Sequence, residues 1–214
     1  IPRRPSRSGP NTMSRLVLGI NSAHADSSAA LIGERGIIAA IAEERINRKK
    51  HCAGFPKLAV REVLRIAGAS ANDITDIAVA RDPKANLSGK LAFVARNPAS
   101  ATPRALERLT IHRDVERSED FVADALGVRS DEVRAQFHQV EHHVAHAASA
   151  FYWSPFERAT ALTCDGAGDF ATMLLARGEG NKLTVQRRAL WPHSLGVYYT
   201  ALTQLIGFDR FGEE

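Results

Sequence analysis

The sequence ATALTCDGAGDFATMLLARGEGNKLTVQRRAL, residues 159–190, decides the fold, because apolar runs rich in strand-forming residues alternate in it with turn residues. The runs predict three strands, at 159–164, 170–176 and 183–190. Residues 165–169, which are acidic and rich in glycine, predict a tight turn, and residues 178–180 predict a hairpin. Ser194 then offers an N-cap for a helix over 195–206.

The same order of elements is predicted nearer to the start of the chain. Three strands are expected at 15–21, 29–32 and 37–42, and a helix over 56–67 and a strand over 74–80 follow them. In both copies an acid-bearing loop of small residues separates the first two strands, and a hairpin containing Gly-Glu separates the second from the third. This echo predicts an α/β fold made of two related subdomains that face each other across a cleft.

The echo also predicts the domain limits. We expect the first subdomain at 15–157 and the start of a second one at 158–214, where the second copy stops after its first helix and the sequence is interpreted as a fragment. Residues 81–118 carry three prolines and interrupt the first subdomain, which predicts a peripheral excursion with one or two helices. Residues 1–14 are predicted to be a disordered basic leader.

Composition limits the possible functions. The chain has 214 residues, 44% of them hydrophobic and 24% charged, which is typical of a globular protein with a buried core. The formal charge of +4 comes largely from arginines near the N-terminus, so we expect no nucleic-acid partner. No apolar run is long enough to cross a membrane, and the two cysteines, Cys52 and Cys164, form no CxxC pair. We therefore expect a cytoplasmic protein without a membrane partner.

Two histidines four residues apart precede the strands of the second copy. His142 and His146 lie in an alanine-rich run predicted to be helical, so both imidazoles project from one helix face. Asp165 directly follows the next predicted strand, so its carboxylate is expected at the end of that strand, at the edge of the sheet. Two imidazoles and one carboxylate that converge bind a divalent metal such as iron, manganese or zinc. The alternative is that the histidines are surface residues of the helix and that Asp165 belongs to an ordinary turn.

Two further segments carry hydrogen-bonding and charged side chains. The loop after the first strand contains His24, Asp26 and Ser27 within four residues, more than a simple turn requires, and we expect it to face a ligand. The charged run 43–51, which includes Lys50 and His51, is typical of a solvent-exposed surface on composition alone.

Five motifs in this order resemble the carbamoyltransferase family that includes the nodulation and antibiotic-tailoring O-carbamoyltransferases. They are GINSAHADSSAA at 19–30, EERINRKKH at 43–51 with GFP at 54–56, HHVAHAASAF at 142–151, DGAGD at 165–169, and the glycine-bearing end of the sequence at 207–214. The resemblance implies an actin/Hsp70-like, duplicated RNase H-type α/β fold in which the second copy is truncated.

The resemblance also implies an enzyme that moves a carbamoyl group from carbamoyl phosphate to a hydroxyl of a small-molecule acceptor. ATP is then a co-substrate, because an adenylate-forming domain downstream of this sequence makes carbamoyladenylate, and the chain alone is expected to be inactive. His142 and His146 match the family's metal-binding HxxxH motif, and Asp165 matches a carboxylate ligand. The implied metal is iron, with manganese or zinc as alternatives.

Roles for the other motif residues follow from this resemblance. His24 is the candidate for the general base or for a contact with the carbamoyl carbonyl. Small residues in loops let backbone N–H groups approach a phosphate, and charged residues near them can also contact it. The residues predicted to contact substrate or nucleotide are Asp26, Ser27, Lys50, His51, Gly166, Gly168 and Asp169. His143 lies on another face of the helix and is expected to support the metal ligands or to pack.

Other functions of the same fold stay open. An enzyme related to threonylcarbamoyl transfer, which acts on tRNA, shares the metal site but would be expected to show a basic RNA face. A non-catalytic actin/Hsp70-fold binding module would not need all five motifs. A plain ATPase or sugar kinase holds Mg²⁺ with acidic residues, and a helical histidine pair is not part of that chemistry.

Overall fold

The computed structural model describes residues 15–22, 25–98 and 118–208. The chain divides into two compact units, and the described part of the first unit comprises residues 15–22, 25–83 and 118–140. The described part of the second unit comprises residues 84–98 and 141–208. The predicted leader, His24, and half of the predicted excursion, residues 99–117, lie outside the described residues.

Both units contain strands and helices in their described residues. The strands are β1 (Leu16–Asn21), β2 (Ser28–Gly33), β3 (Gly36–Ala42), β4 (Asp76–Val79), β5 (Gln136–Gln139), β6 (Arg158–Gly168), β7 (Ala171–Glu179) and β8 (Lys182–Leu190). The helices are α1 (Glu43–Asn47), α2 (Lys57–Ala67), α3 (Leu87–Arg96), α4 (Ser118–Leu126), α5 (His142–Tyr152) and α6 (Leu195–Leu205). Within the described residues, no helix has both the length and the apolar character needed to cross a membrane.

The first unit contains a five-stranded sheet with the order β3-β2-β1-β4-β5. Strands β1 to β3 form an antiparallel meander, and β4 and β5 run parallel to β1. Three antiparallel strands followed by two parallel ones in this order are the arrangement of an RNase H-type unit. The predicted α/β fold class is therefore confirmed.

Helix α2 covers the meander of this sheet. It follows Pro56 and ends at Gly68, whose φ of +64° is one that glycine adopts without strain. The residues that it buries recur at helical spacing and join the strand residues of the core: Ala59, Val60, Val63 and Leu64 pack with Leu18, Leu31 and Ile77. Burial of this face holds the helix on the sheet.

The second unit contains the antiparallel sheet β6-β7-β8. Helix α5 packs on β6 and β7 and buries Ala147 and Phe151. The ring of Phe151 lies so close to β7 that a Cβ at Gly178 would be 2.5 Å from it. The order of three strands and a helix, β6-β7-β8-α6, repeats that of β1-β2-β3 and α2, as the sequence predicts, with the short helix α1 inserted before α2 in the first copy. The predicted domain limits stay a prediction. Helix α5 lies before the predicted limit at residue 158, but its contacts place it in the same compact unit as β6, β7 and β8.

The tight turn predicted after the first strand of the second copy was placed too early. Strand β6 continues to Gly168, with an irregular register between Cys164 and Gly168. The chain reverses at Asp169 and Phe170, whose φ angles are +48° and +72°. Glycine within a strand marks a bulge or a close backbone approach as well as a turn, and sequence alone does not separate these cases.

Candidate metal centre

Two carboxylates fix the start of α5. The side chain of Glu141, the N-cap residue, accepts a hydrogen bond of 2.9 Å from the backbone N–H of Val144. The carboxylate of Asp169 accepts one of 2.9 Å from the N–H of His142. Both carboxylates satisfy N–H groups that have no partner inside a helix, and both lie at the positive end of the helix dipole. The first turn of α5, which carries His142, is therefore well anchored.

Three side chains converge where α5 meets β6. The Nε2 atom of His142 lies 2.7 Å from Oδ2 of Asp165 and 3.1 Å from Nε2 of His146. The Nε2 atom of His146 lies 3.8 Å from Oδ2 of Asp165. A point equidistant from three atoms with these separations lies about 1.9 Å from each, close to the metal–ligand bonds of about 2.0–2.2 Å made by nitrogen and oxygen donors. The triad formed by these three residues therefore has both the chemistry and the size of a divalent-metal site.

The environment favours an ionised Asp165. The hydrogen bond with His142 holds the pKa of Asp165 well below its ordinary value, and the N–H of Gly166, 2.6 Å from Oδ1, contributes in the same direction. Partial burial opposes this effect without overcoming it. Burial lowers the pKa of the neighbouring His143, so that this ring is neutral at physiological pH. The triad thus offers one negative charge between two imidazoles.

Exposure differs across the triad. The side chain of His142 is 10% exposed, whereas those of His146 and Asp165 are 53% and 42% exposed. The side chain of His142 is therefore nearly buried within the unit, and those of His146 and Asp165 are accessible to solvent. An ion held by these atoms would be within reach of a substrate.

Two glycines permit the close packing around the triad. A Cβ at Gly168 would overlap the imidazole of His142, which rests on the backbone of β6. A Cβ at Gly196, in the first turn of α6, would lie 2.5 Å from the carbonyl carbon of Asp165. The hydroxyl of Ser194 donates to the carbonyl of Gly166 at 2.7 Å and accepts the N–H of Val197, which confirms its predicted role as the N-cap of α6.

The predicted nucleotide-contact residues of this unit have different surroundings. Gly168 is covered by the ring of His142, and Asp169 is buried with its carboxylate on the start of α5. At Gly166, by contrast, nothing in the described part of the chain lies within 4 Å of the position of a Cβ. Gly166 is therefore open on the side where a Cβ would stand, while its N–H donates to Asp165 and its carbonyl accepts from Ser194.

The remaining predicted residues lie in the first unit, where the structure brings several of them together. Nδ1 of His51 is 3.1 Å from Oδ1 of Asp26, and both residues have positive φ angles, +53° and +63°. Ser27 is buried beside them and donates from its hydroxyl and its N–H to the carbonyl of Cys52. Lys50 is exposed on the same loop. His24 lies outside the described residues.

Sequence reasoning missed two residues beside the triad. Thr163 lies two positions before Asp165 on β6 and so on the same strand face, which the period of a strand could have indicated. Gly196 contacts the backbone of Asp165 from another element, and no local pattern predicts that approach.

Comparisons with known proteins agree on one family. Residues 16–214 match the family model described as Carbamoyltransferase N-terminus. Nodulation protein NolNO of Sinorhizobium fredii is 35% identical over 191 residues, which cover 88% of this chain and 26% of that protein. An uncharacterized protein of Synechocystis sp. is 36% identical over 200 residues, which cover 90% of this chain and 32% of that protein. The chain thus spans about a third or less of the length of these relatives.

A solved structure resembles the chain more distantly. YeaZ from Pseudomonas aeruginosa is 14% identical, with a TM-score of 0.42 over 83% of this chain and 68% of that one. This similarity is too low to bear on the candidate site.

Proposed function

Since this chain belongs to the carbamoyltransferase N-terminal family, we propose that it is part of an O-carbamoyltransferase and supplies metal ligands to its active site. The observation that most directly supports the proposal is the convergence of His142, His146 and Asp165. The family gives the reaction class. A bound metal would explain why α5 and β6, two elements that are separate in sequence, bring these three side chains together.

The proposed transfer step forms one bond and breaks one. The oxygen of an acceptor hydroxyl bonds to the carbamoyl carbon of carbamoyladenylate, the bond from that carbon to the phosphate oxygen breaks, and AMP leaves with the electron pair. The hydroxyl proton passes to a general base, for which His24 is the candidate. Carbamoyladenylate itself forms in two steps: water cleaves carbamoyl phosphate to carbamate and phosphate, and an oxygen of the carbamate then bonds to the α-phosphorus of ATP as pyrophosphate leaves. The donor, ATP and the small-molecule acceptor follow from the family resemblance.

The triad residues would hold the metal through Nε2 of His142, Nε2 of His146 and Oδ2 of Asp165. When bound, the metal supplies a Lewis acid to a carbamoyl or phosphate oxygen. This donor set suits iron, our proposed metal, as well as manganese or zinc. Because Asp165 is ionised and half exposed, it adds charge to the site without closing it to substrate.

The loop of the first unit is proposed to contact anionic groups of the substrates. Asp26, Lys50 and His51 are exposed there, and the Asp26–His51 contact holds the His51 ring in place. Ser27 is buried with its hydroxyl occupied, so its proposed contribution is to the shape of the loop. In the second unit, contacts with nucleotide stay predicted for Gly166, Gly168 and Asp169. A cytoplasmic location also stays a prediction.

Metal content tests the proposal. The protein would be purified anaerobically as wild type, His146→Ala and His193→Ala, and its iron, manganese and zinc would be measured per chain. We expect about one metal per chain in the wild type, loss of it in His146→Ala because one ligand of three is removed, and retention in His193→Ala. His193 is the matched control, because it is an exposed histidine of the same unit outside the triad. Equal metal content in the wild type and His146→Ala would contradict the proposal.

A further inference from the structure

Building on the proposed metal site, we infer that His143 and Thr163 are positioning residues that hold the two helix-borne ligands at the correct distance from the strand-borne ligand. His143 is fully buried in α5, and its Nδ1 atom lies 2.7 Å from Oγ1 of Thr163, which is 8% exposed. His143 directly follows the ligand His142. Thr163 precedes the ligand Asp165 by two residues, on the same face of β6. The hydrogen bond therefore joins the two ligand-bearing elements beside the metal ligands themselves.

Stability alone does not account for a histidine at this position. The Nε2 atom of His143 is buried and makes no well-formed hydrogen bond among the described residues, although an interaction of the ring with the backbone of Ala171 partly offsets the effect of burial on its pKa. A buried polar atom without a partner destabilises a fold, and an aliphatic side chain of similar volume would avoid that cost. A position that departs from the rules of core packing is expected where function requires it. The function available here is the hydrogen bond to the strand that carries Asp165.

The other anchors of α5 act on a different degree of freedom. Glu141 and Asp169 accept backbone N–H groups and so fix where the helix begins. The contact between His143 and Thr163 is made by side chains, and it fixes how α5 is rotated about its own axis relative to β6. A small rotation would carry the Nε2 atoms of His142 and His146, which lie at the ends of long side chains, away from Oδ2 of Asp165.

Titration of the metal-free 214-residue chain with Co²⁺, followed by its visible absorption, tests the inference. Thr163→Val removes the hydroxyl and keeps the shape, and we expect it to weaken Co²⁺ binding about 10- to 100-fold, as loss of a partner beyond the metal ligands does. Thr163→Ser restores the hydroxyl and should restore most of the affinity. Thr172→Val is the matched control, since Thr172 is also buried, in β7, and donates its hydroxyl to the carbonyl of His193. It should bind Co²⁺ like the wild type.

A double variant separates positioning from stability. In His143→Leu with Thr163→Val both polar partners become apolar, so the metal-free protein should unfold at an unchanged or higher temperature while Co²⁺ affinity still falls. A purely structural role for the pair predicts a lower unfolding temperature and unchanged affinity. This variant also keeps the test valid if Thr163→Val alone does not fold.

The possible failures are distinguishable. Wild-type affinity in both Thr163→Val and the double variant would overturn the positioning role and leave the metal site standing. Co²⁺ binding that is absent from the wild type, or unchanged by His146→Ala, would overturn the metal site, and with it this inference.

Discussion

Gly168 determines whether the imidazole of His142 can reach Asp165. The ring packs directly on the backbone of β6, and a Cβ at Gly168 would overlap it. We expect Gly168→Ala to weaken Co²⁺ binding at least tenfold and to lower the free energy of unfolding by about 1–3 kcal/mol, because the ring must leave its position. Titration with Co²⁺ and urea unfolding of the metal-free chain measure these two effects.

Gly166→Ala is the matched control for this substitution. Gly166 lies two residues away on the same strand, and the described residues leave 4 Å of free space around the position of its Cβ. We expect it to retain Co²⁺ affinity within about twofold, as substitutions that meet no neighbour do. An equal loss in both variants would show that the backbone of β6 itself requires glycine, and that the ring of His142 is not the reason.

At the scale of elements, α5 and β6 show how much of the site a sequence predicts. The helical period places His142 and His146 on one face, and the end of an apolar run places Asp165 at the edge of a sheet, so local patterns suffice for the three ligands. The turn after Asp165 was placed too early because glycines in an irregular strand look like turn glycines. Contacts between elements, such as that of His143 with Thr163, depend on the path of the whole chain. Local patterns of residue type and spacing do not predict which distant elements that path brings together.

The pair β4–β5 carries a contact that makes stability depend on pH. Asp76 is buried at the start of β4, and its carboxylate lies 2.8 Å from Nε2 of His138 on β5 and 2.8 Å from the hydroxyl of Thr75. These hydrogen bonds, that of His138 foremost, hold the pKa of Asp76 below its ordinary value. Folding therefore favours the ionised carboxylate. The stabilisation is complete above the ordinary aspartate pKa of about 3.9 and is lost as pH falls through the lower pKa of the folded state.

Asp76→Asn tests this dependence. We expect it to lower the free energy of unfolding in urea by about 1–3 kcal/mol at pH 7, and by progressively less as the pH falls below about 4. Asp131→Asn is the control, because Asp131 is exposed and pairs with Arg129 at the surface, where an ion pair contributes about 0–1 kcal/mol. A loss of stability in Asp76→Asn that is the same at pH 7 and pH 3 would show that the charge of Asp76 does not matter.

At the scale of the whole molecule, the triad belongs to the unit that contains residues 84–98 and 141–208. Both tryptophans of the sequence, Trp153 and Trp191, lie in this unit. Tryptophan fluorescence therefore follows the unfolding of the metal-binding unit, whereas far-UV circular dichroism follows both units. The two probes together report where a bound metal stabilises the chain.

Zn²⁺, which has no redox chemistry of its own, is expected to raise the urea midpoint of the fluorescence transition. A ligand that binds only the native state at a free concentration 100-fold above its Kd adds about 2.7 kcal/mol to the free energy of unfolding. His146→Ala should show a much smaller shift, because one of three ligands is gone, and His193→Ala should shift like the wild type. An identical shift in the wild type and His146→Ala would mean that Zn²⁺ binds elsewhere. The three converging side chains would then be a hydrogen-bonded polar cluster, and the function would rest on the family alone.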